Sequence, residues 1–364
     1  MNMQRVIIFI GVLVFLYGCK TPQTATTAVT APEDNVLEEN NIRGDLRFVN
    51  YNVENLYDTY NDTLKDDEEF LPWGMKAWTN DRYNQKLKNI YKVLVNVGGW
   101  EMPDIITMQE IENRRVLEDL IERTPMSQYK YGIVHEDSPD ARGVDVGFLY
   151  RRDKFTPLQH STIRITFPFD TASKTRDVLM VKGLINKMRD TMTVFVCHFP
   201  SRRGGEVASE PRRVYVAEQV RIKIDSILTR DPMAKVIVVG DFNDEPDNKS
   251  VYEVLRGKGD LENLQPGDMY NFMYNMKMKQ GLGSYKFQEF WNLIDHFTVS
   301  QGFFSSTSMS YLKPESAHIY NKDWLVMQDD QAPGVKPFRT YNGPQYTGGY
   351  SDHLPVYLDI YFRK

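Results

Sequence analysis

Six clusters of polar residues stand where apolar runs of this chain break. Asn52 interrupts the run at 46–53, Gln109-Glu110 follow directly on 104–108, and His198 ends the run at 193–197. Gly240-Asp241-Phe242-Asn243-Asp244 follows 236–239, while Asp295-His296 and Ser351-Asp352-His353 precede 297–299 and 356–361. Taken singly these are ordinary: Glu110 reads as a solvated turn carboxylate, Asp241 as part of an Asp-rich turn, and His198 as a satisfied core histidine. Taken together, the oxygen donors of Asn52, Glu110, Asp241, Asn243 and Asp352 beside two histidines are what metal-assisted phosphoryl chemistry requires. Mg²⁺ favours carboxylate and carbonyl oxygens and keeps several waters; Mn²⁺ and Ca²⁺ are the alternatives. The chain has no clustered cysteines and no paired-histidine spacing, which argues against a tetrahedral zinc site.

The runs that must position these residues are short and β-branched. They predict strands at 46–53, 104–108, 144–150, 178–184, 193–197, 236–239, 297–299 and 356–361, several apolar enough to be buried on at least one face. Helical spacing appears at 81–97, through Leu87, Ile90, Tyr91 and Leu94, and at 211–228, where Pro211 suits a first turn. A shorter helix is expected after Asn113. The stretch 260–283, rich in Met, Asn, Gln and Gly, reads as a long loop. Helices are too few for a strict βαβ barrel, so two sheets packed face to face with helices outside fit better. In an antiparallel sheet the end of one strand lies beside the start of its neighbour, so the six polar clusters can meet at one edge.

Composition bounds the rest. The chain has 364 residues, 44 basic against 49 acidic side chains and a formal charge of −5, which excludes binding driven by a globally basic surface. Residues 6–17 form an apolar run that follows Arg5 and leads through Leu16-Tyr17 into Gly18-Cys19. Twelve residues are too few to span a bilayer, which takes about 20, but they suit a signal peptide. The segment resembles a bacterial lipoprotein signal, which implies removal of 1–18, acylation of Cys19, and an exported protein anchored to a membrane of the cell envelope. Residues 19–44, rich in Thr, Ala, Pro and Asn, read as a flexible tether, and 45–364 as one folded domain with no interface that implies an oligomer. Cys197 is then the only free thiol, and stability must come from the core alone.

YNVEN (Asn52), MQEIEN (Glu110), VCHFPSRRGG (His198), GDFND (Asp241, Asn243), LIDHF (Asp295) and YSDHLPV (Asp352, His353) resemble, in order and spacing, the endonuclease/exonuclease/phosphatase superfamily, the deoxyribonuclease-I-like group. The resemblance runs from about residue 45 to the C-terminus and implies an α/β fold, a four-layer α/β/β/α sandwich of two mainly antiparallel sheets. It also implies roles. Glu110 becomes the principal metal ligand, supported by Asn52 and Asp352, and Asp241 orients or deprotonates the attacking water. Asn243 donates to the phosphate, Asp295 holds His353 in its cationic form, and His198 is a general acid for the leaving group. By a looser match in RGVDVGFLY, Asp145 either orients His198 or is an ordinary strand-edge carboxylate. Arg176 matches a position that meets the substrate phosphate. Arg202 and Arg203 supply local positive charge, Gly204 and Gly205 allow close approach to a phosphate, and Arg212 and Arg213 read as a solvated helix face. The implied function is a Mg²⁺-dependent phosphodiesterase, a nuclease on DNA or RNA. A phosphatase or phospholipase-type hydrolase of inositol phosphates, sugar phosphates or lipid head groups is the alternative, and a non-catalytic surface lipoprotein the third. The Asn-Tyr-Arg and Cys-Asp-Arg signatures of inositol polyphosphate 5-phosphatases are missing at Asp241 and Asp295, which lowers that branch.

Overall fold

Consecutive apolar positions can form strands only where both faces of a sheet are covered. The structure, a computed structural model, describes residues 43–99 and 101–364; the expected signal segment, Cys19 and nearly all of 19–44 lie outside the described residues. All eight expected strands form. They are β1 (Leu46–Leu56), β2 (Ile105–Ile111), β4 (Asp145–Arg151), β6 (Val178–Ile185), β7 (Asp190–His198), β8 (Lys235–Asp241), and the strands Asp295–Ser300 and Val356–Phe362. Two more escaped the sequence reading, β3 (Tyr131–His135) and β5 (Phe155–Ile163). β5 is an edge strand, interrupted by Pro157 and half exposed, so it never reads as an apolar run.

One sheet runs Val356–Phe362, β1, β2, β4, β3, and the other runs β5, β6, β7, β8, Asp295–Ser300, with shorter strands at the margins. Strand alternation assigns each side chain to a layer. Phe48, Ile105, Val194, Val196, Ile237, Val239 and Phe297 face the seam between the sheets, where Phe48 meets Phe297 edge to face at 5.3 Å between centroids. Their neighbours Val49 and Ile106 pack outward under α1 (Asn80–Gly98) and α2 (Arg114–Glu122). Phe195, Cys197, Val236 and Val238 pack under α3 (Glu206–Arg230). These are the four layers expected, and each large apolar side chain buried in them contributes roughly 1.5–3 kcal/mol.

Caps fix where α1 and α2 start: Thr79 accepts from the Arg82 N–H and Asn113 from the Val116 N–H. Two expectations need correcting. α3 begins at Glu206 rather than at Pro211, which sits in the second turn; the carbonyl it leaves without a partner belongs to exposed Val207, where water can serve it. The stretch 260–283 is not simply a loop, because it holds the strand Met269–Asn271 and the helix α4 (Phe272–Gln280), capped by Asn271. Only Phe272 and Met273 of α4 are buried, so it carries no apolar stripe to read.

Candidate active site

Alternation also explains why the polar residues converge. Asn52 keeps the parity of Phe48, His198 that of Val196, Asp241 that of Val239 and Asp295 that of Phe297, so all four continue the seam between the sheets beyond its apolar part. In register, His198 lies beside Asp241 on the parallel pair β7–β8, and Asp241 beside Asp295 on the next strand. Gly240 makes this possible. Its φ is +141°, and a Cβ there would stand 1.9 Å from the Cys197 carbonyl oxygen, so only glycine lets β8 approach β7 this closely. Glu110 has the opposite parity and would point under α2, but a φ of +61° and a break in the β2–β4 register turn it into the cleft.

The result is a cleft of about 580 Å³ whose wall includes Glu110, His198, Asp241, Asn243, Asp352 and His353. Arg202, Arg203, Gly204 and Gly205 form one flank, and Tyr285 and Phe287 another. Asn52 and Asp295 stand behind it. Asn52 Nδ2 donates to Asp241 Oδ2 at 3.1 Å, so its side chain braces Asp241. Asp241 also accepts from the Asn243 N–H at 2.8 Å. One amide hydrogen of Asn243 goes to the Phe199 carbonyl, leaving the other for a ligand.

Electrostatics separates the two histidines. Burial alone would depress His353, but Asp295 Oδ2 at 2.7 Å from Nδ1, with Asp241 and Asp352 nearby, lifts it to about 10. It is a cation at neutral pH. Burial pushes Asp241 up to about 7 against the pull of that cation, a value suited to a general base. His198 goes the other way: burial, with Arg176, Arg142 and His353 as positive neighbours, holds it well below its ordinary value. Its Nε2 lies 3.6 Å from Asp241, and its buried Nδ1 has no hydrogen-bond partner. A neutral His198 still carries one ring N–H, so it meets a ligand as a hydrogen-bond donor rather than as a cation.

Three further expectations change. Asp145 does not reach His198; its Oδ1 accepts from the Ser138 N–H and hydroxyl, and its Oδ2 faces His135. Arg176 is buried and committed, donating to Asp140 at 3.2 Å and to the Phe199 carbonyl at 2.7 Å, so it supports the cleft from behind. Arg213 is no solvated residue but wholly buried, 2.6 Å from Asp244, while Arg212 pairs with Asp170. Arg202 is largely committed as well, to the Asn243 carbonyl and Asn248.

Several functional neighbours carried no sequence signal. Arg142 lines the cleft from the β3–β4 loop, Tyr285 packs its ring 4.9 Å from that of His353, and Arg339 bridges Asp352 at 3.0 Å and Glu54 at 3.1 Å. Each lies in a polar or irregular stretch where periodicity says nothing.

The donor set suits a hard divalent ion. Glu110 Oε2 accepts from the Asn55 N–H and Asp352 Oδ2 from Arg339, which leaves one oxygen of each carboxylate for a cation. Two protein carboxylates plus water is how Mg²⁺ is commonly held. Among the described residues no third His, Cys, Asp or Glu completes a tight cluster with them.

The chain's likenesses agree with this geometry. The structure of the human Nocturnin catalytic domain with bound sulfate superposes with a TM-score of 0.52 at 14% identity, covering 88% of this chain and 96% of that one. That of D. rerio TDP2 complexed with single-strand DNA product gives 0.51 at 16%, covering 86% and 98%. A mannosyl-6-phosphatase of Bacteroides thetaiotaomicron gives 0.50 at 16%, covering 87% and 100%. At such identities these likenesses speak for the fold. No curated protein matches the chain. The model of the endonuclease/exonuclease/phosphatase family matches residues 48–363, and the chain belongs to that family of phosphoester hydrolases.

Proposed function

We propose that the chain is a divalent-metal-dependent phosphodiesterase that cleaves nucleic acid. The observation that carries this reading is the row Asp295–His353–Asp241, in which a carboxylate holds a cationic imidazole at 2.7 Å and that imidazole lies 3.8 Å from a second carboxylate. Asp241 accepts the proton of the attacking water. His353 and the remaining amide hydrogen of Asn243 meet the phosphoryl oxygens, and Asn52 keeps Asp241 in place. Glu110 and Asp352 would hold the metal, which when bound neutralises charge on a non-bridging oxygen. His198 offers a neutral imidazole N–H to the phosphate or the leaving oxygen. Arg142 and Arg203 add positive charge to the cleft wall, and the faces of Tyr285 and Phe287 give a base or sugar something to stack on.

A second reading, hydrolysis of a compact phosphoester such as a sugar phosphate, is favoured by the engagement of Arg176 and Arg202 with protein partners and by the bounded cleft. Purified chain incubated with DNA, RNA, bis-p-nitrophenyl phosphate and sugar phosphates, with Mg²⁺, Mn²⁺, Ca²⁺ or EDTA, separates the two. Diester cleavage that EDTA stops, with kcat lowered about 10²–10⁴-fold in Asp241→Asn, supports the proposal. Monoester turnover without diester cleavage replaces it with the second reading, and no turnover on any substrate removes both.

A further inference from the structure

β3 ends and β4 begins at a group of side chains that this reaction does not use. His135, Asp137 and Asp145 bring one imidazole nitrogen and one oxygen of each carboxylate within 4.8 Å of one another. The side chains of His135 and Asp145 are each 3% exposed and that of Asp137 is 81% exposed, so the group has a dry floor and an open mouth. His135 Nε2 lies 3.6 Å from Asp145 Oδ2, and its Nδ1 lies 3.9 Å from Asp137 Oδ1. Both separations are too long for hydrogen bonds. The Nε2 atom is buried and has no hydrogen-bond partner. Donors about 2.1 Å from a tetrahedral zinc stand about 3.4 Å apart, close to the 3.6 Å between His135 Nε2 and Asp145 Oδ2, and Asp137 brings an oxygen within 4.8 Å of the same pair.

The surroundings are also those of a metal ligand set. Ser138 donates from its N–H and its hydroxyl to Asp145 Oδ1, which fixes the carboxylate with Oδ2 towards His135; ligating carboxylates are oriented this way by outer hydrogen bonds. Among the described residues neither Asp137 nor Asp145 is paired with a lysine or arginine. A divalent cation with a neutral imidazole would exactly balance the two carboxylates, and an imidazole donor suits zinc better than magnesium.

We propose that His135, Asp137 and Asp145 form a second metal site, separate from the catalytic cleft, for a zinc-like divalent transition ion whose remaining positions are taken by water. The site closes the base of the loop 136–144. That loop carries Asp140, which holds Arg176, and Arg142, which lines the cleft; Lys65 binds its Ser138 and Asp140 carbonyls. Metal at the base therefore positions a cleft arginine without touching substrate. The sequence expectation against zinc looked for paired histidines, and this site uses one histidine with two aspartates.

The test reads binding without substrate, so it stands or falls independently of the phosphoesterase reading. Purified chain is stripped with EDTA, then titrated with Zn²⁺ and with Co²⁺ in excess Mg²⁺, by calorimetry, metal analysis and the visible absorption of bound Co²⁺. One zinc per chain is expected, retained in Glu110→Gln and weakened at least tenfold in both His135→Asn and Asp137→Ala. Asp137 is exposed, so its variant keeps the fold if that of His135 does not. The absence of zinc binding at roughly micromolar concentration, unchanged binding in Asp137→Ala, or binding lost in Glu110→Gln would each overturn the proposal.

Discussion

In the cleft, Asp295 Oδ2 lies 2.7 Å from His353 Nδ1, whereas at the base of the β3–β4 loop Asp145 Oδ2 lies 3.6 Å from His135 Nε2. Both pairs are buried, and both join the same two residue types. In the first, Asp241 and Asp352 add negative charge around the imidazole, so a proton is the stable occupant and His353 is a cation. In the second, Ser138 holds the other carboxylate oxygen, and Oδ2 stands beyond hydrogen-bond distance of the imidazole, the opening of the proposed metal site. Residue identity does not decide what an Asp–His pair does. The third atom near it does.

The largest effect should come from the cleft pair. Asp295→Asn removes the charge that keeps His353 protonated, so kcat falls about 10²–10³-fold, in line with the loss of a preorganised charge in an active site. The sign on pH follows: His353 loses its proton as pH rises through its folded value, so the alkaline fall in activity, near pH 10 in the parent, moves towards neutrality. A parent-like pH–rate profile in Asp295→Asn would show that the cation does not matter.

A histidine with no bonded carboxylate sharpens the comparison. His296 is buried, stacked 4.6 Å from Phe242, with Nε2 on the Asp244 carbonyl and Nδ1 beside Asn271. Burial lowers it from 6.5 to about 4. The folded state then binds fewer protons than the unfolded one, so stability falls as pH drops from about 6.5 to about 4, by about 3 kcal/mol in all. Denaturant midpoints of the parent and His296→Gln at pH 7.5 and pH 5 check this, and the parent should lose more on acidification. The smallest effect belongs to the loop pair. Asp145→Ala strands the Ser138 donors and costs about 1–3 kcal/mol, and it lowers kcat far less than Asp295→Asn does; a fall in kcat like that of Asp295→Asn would put Asp145 back in the reaction.

What could be read from the sequence was decided by burial. Strands covered on both faces, such as β7 with Val194 and Val196 inward and Phe195 and Cys197 outward, appear as apolar runs, and so do the polar residues that end them. That made the architecture and the set Glu110, His198, Asp241, Asn243, Asp295, Asp352 and His353 legible. β5 and α4 were lost because each buries too little to leave a pattern. Asp145, Arg176 and Arg213 were misplaced for another reason. Their partners, Ser138, Asp140 and Asp244, are chosen by loop geometry and strand crossing, which charge and periodicity along the chain do not encode.

The pairing of Leu46 with Ile360 gives the molecule a polarity. β1 begins there and reaches Asn52 six residues later, roughly 20 Å along the strand, while the final strand starts near His353 and runs back. Arg43 fastens the entry point to Asp104 and the Gly98 carbonyl. Both ends of the described chain thus leave from the pole opposite the cleft. A support gripping the protein ahead of Arg43 would hold it like a lamp on its stem, with the cleft turned outward and open to whatever approaches from the far side.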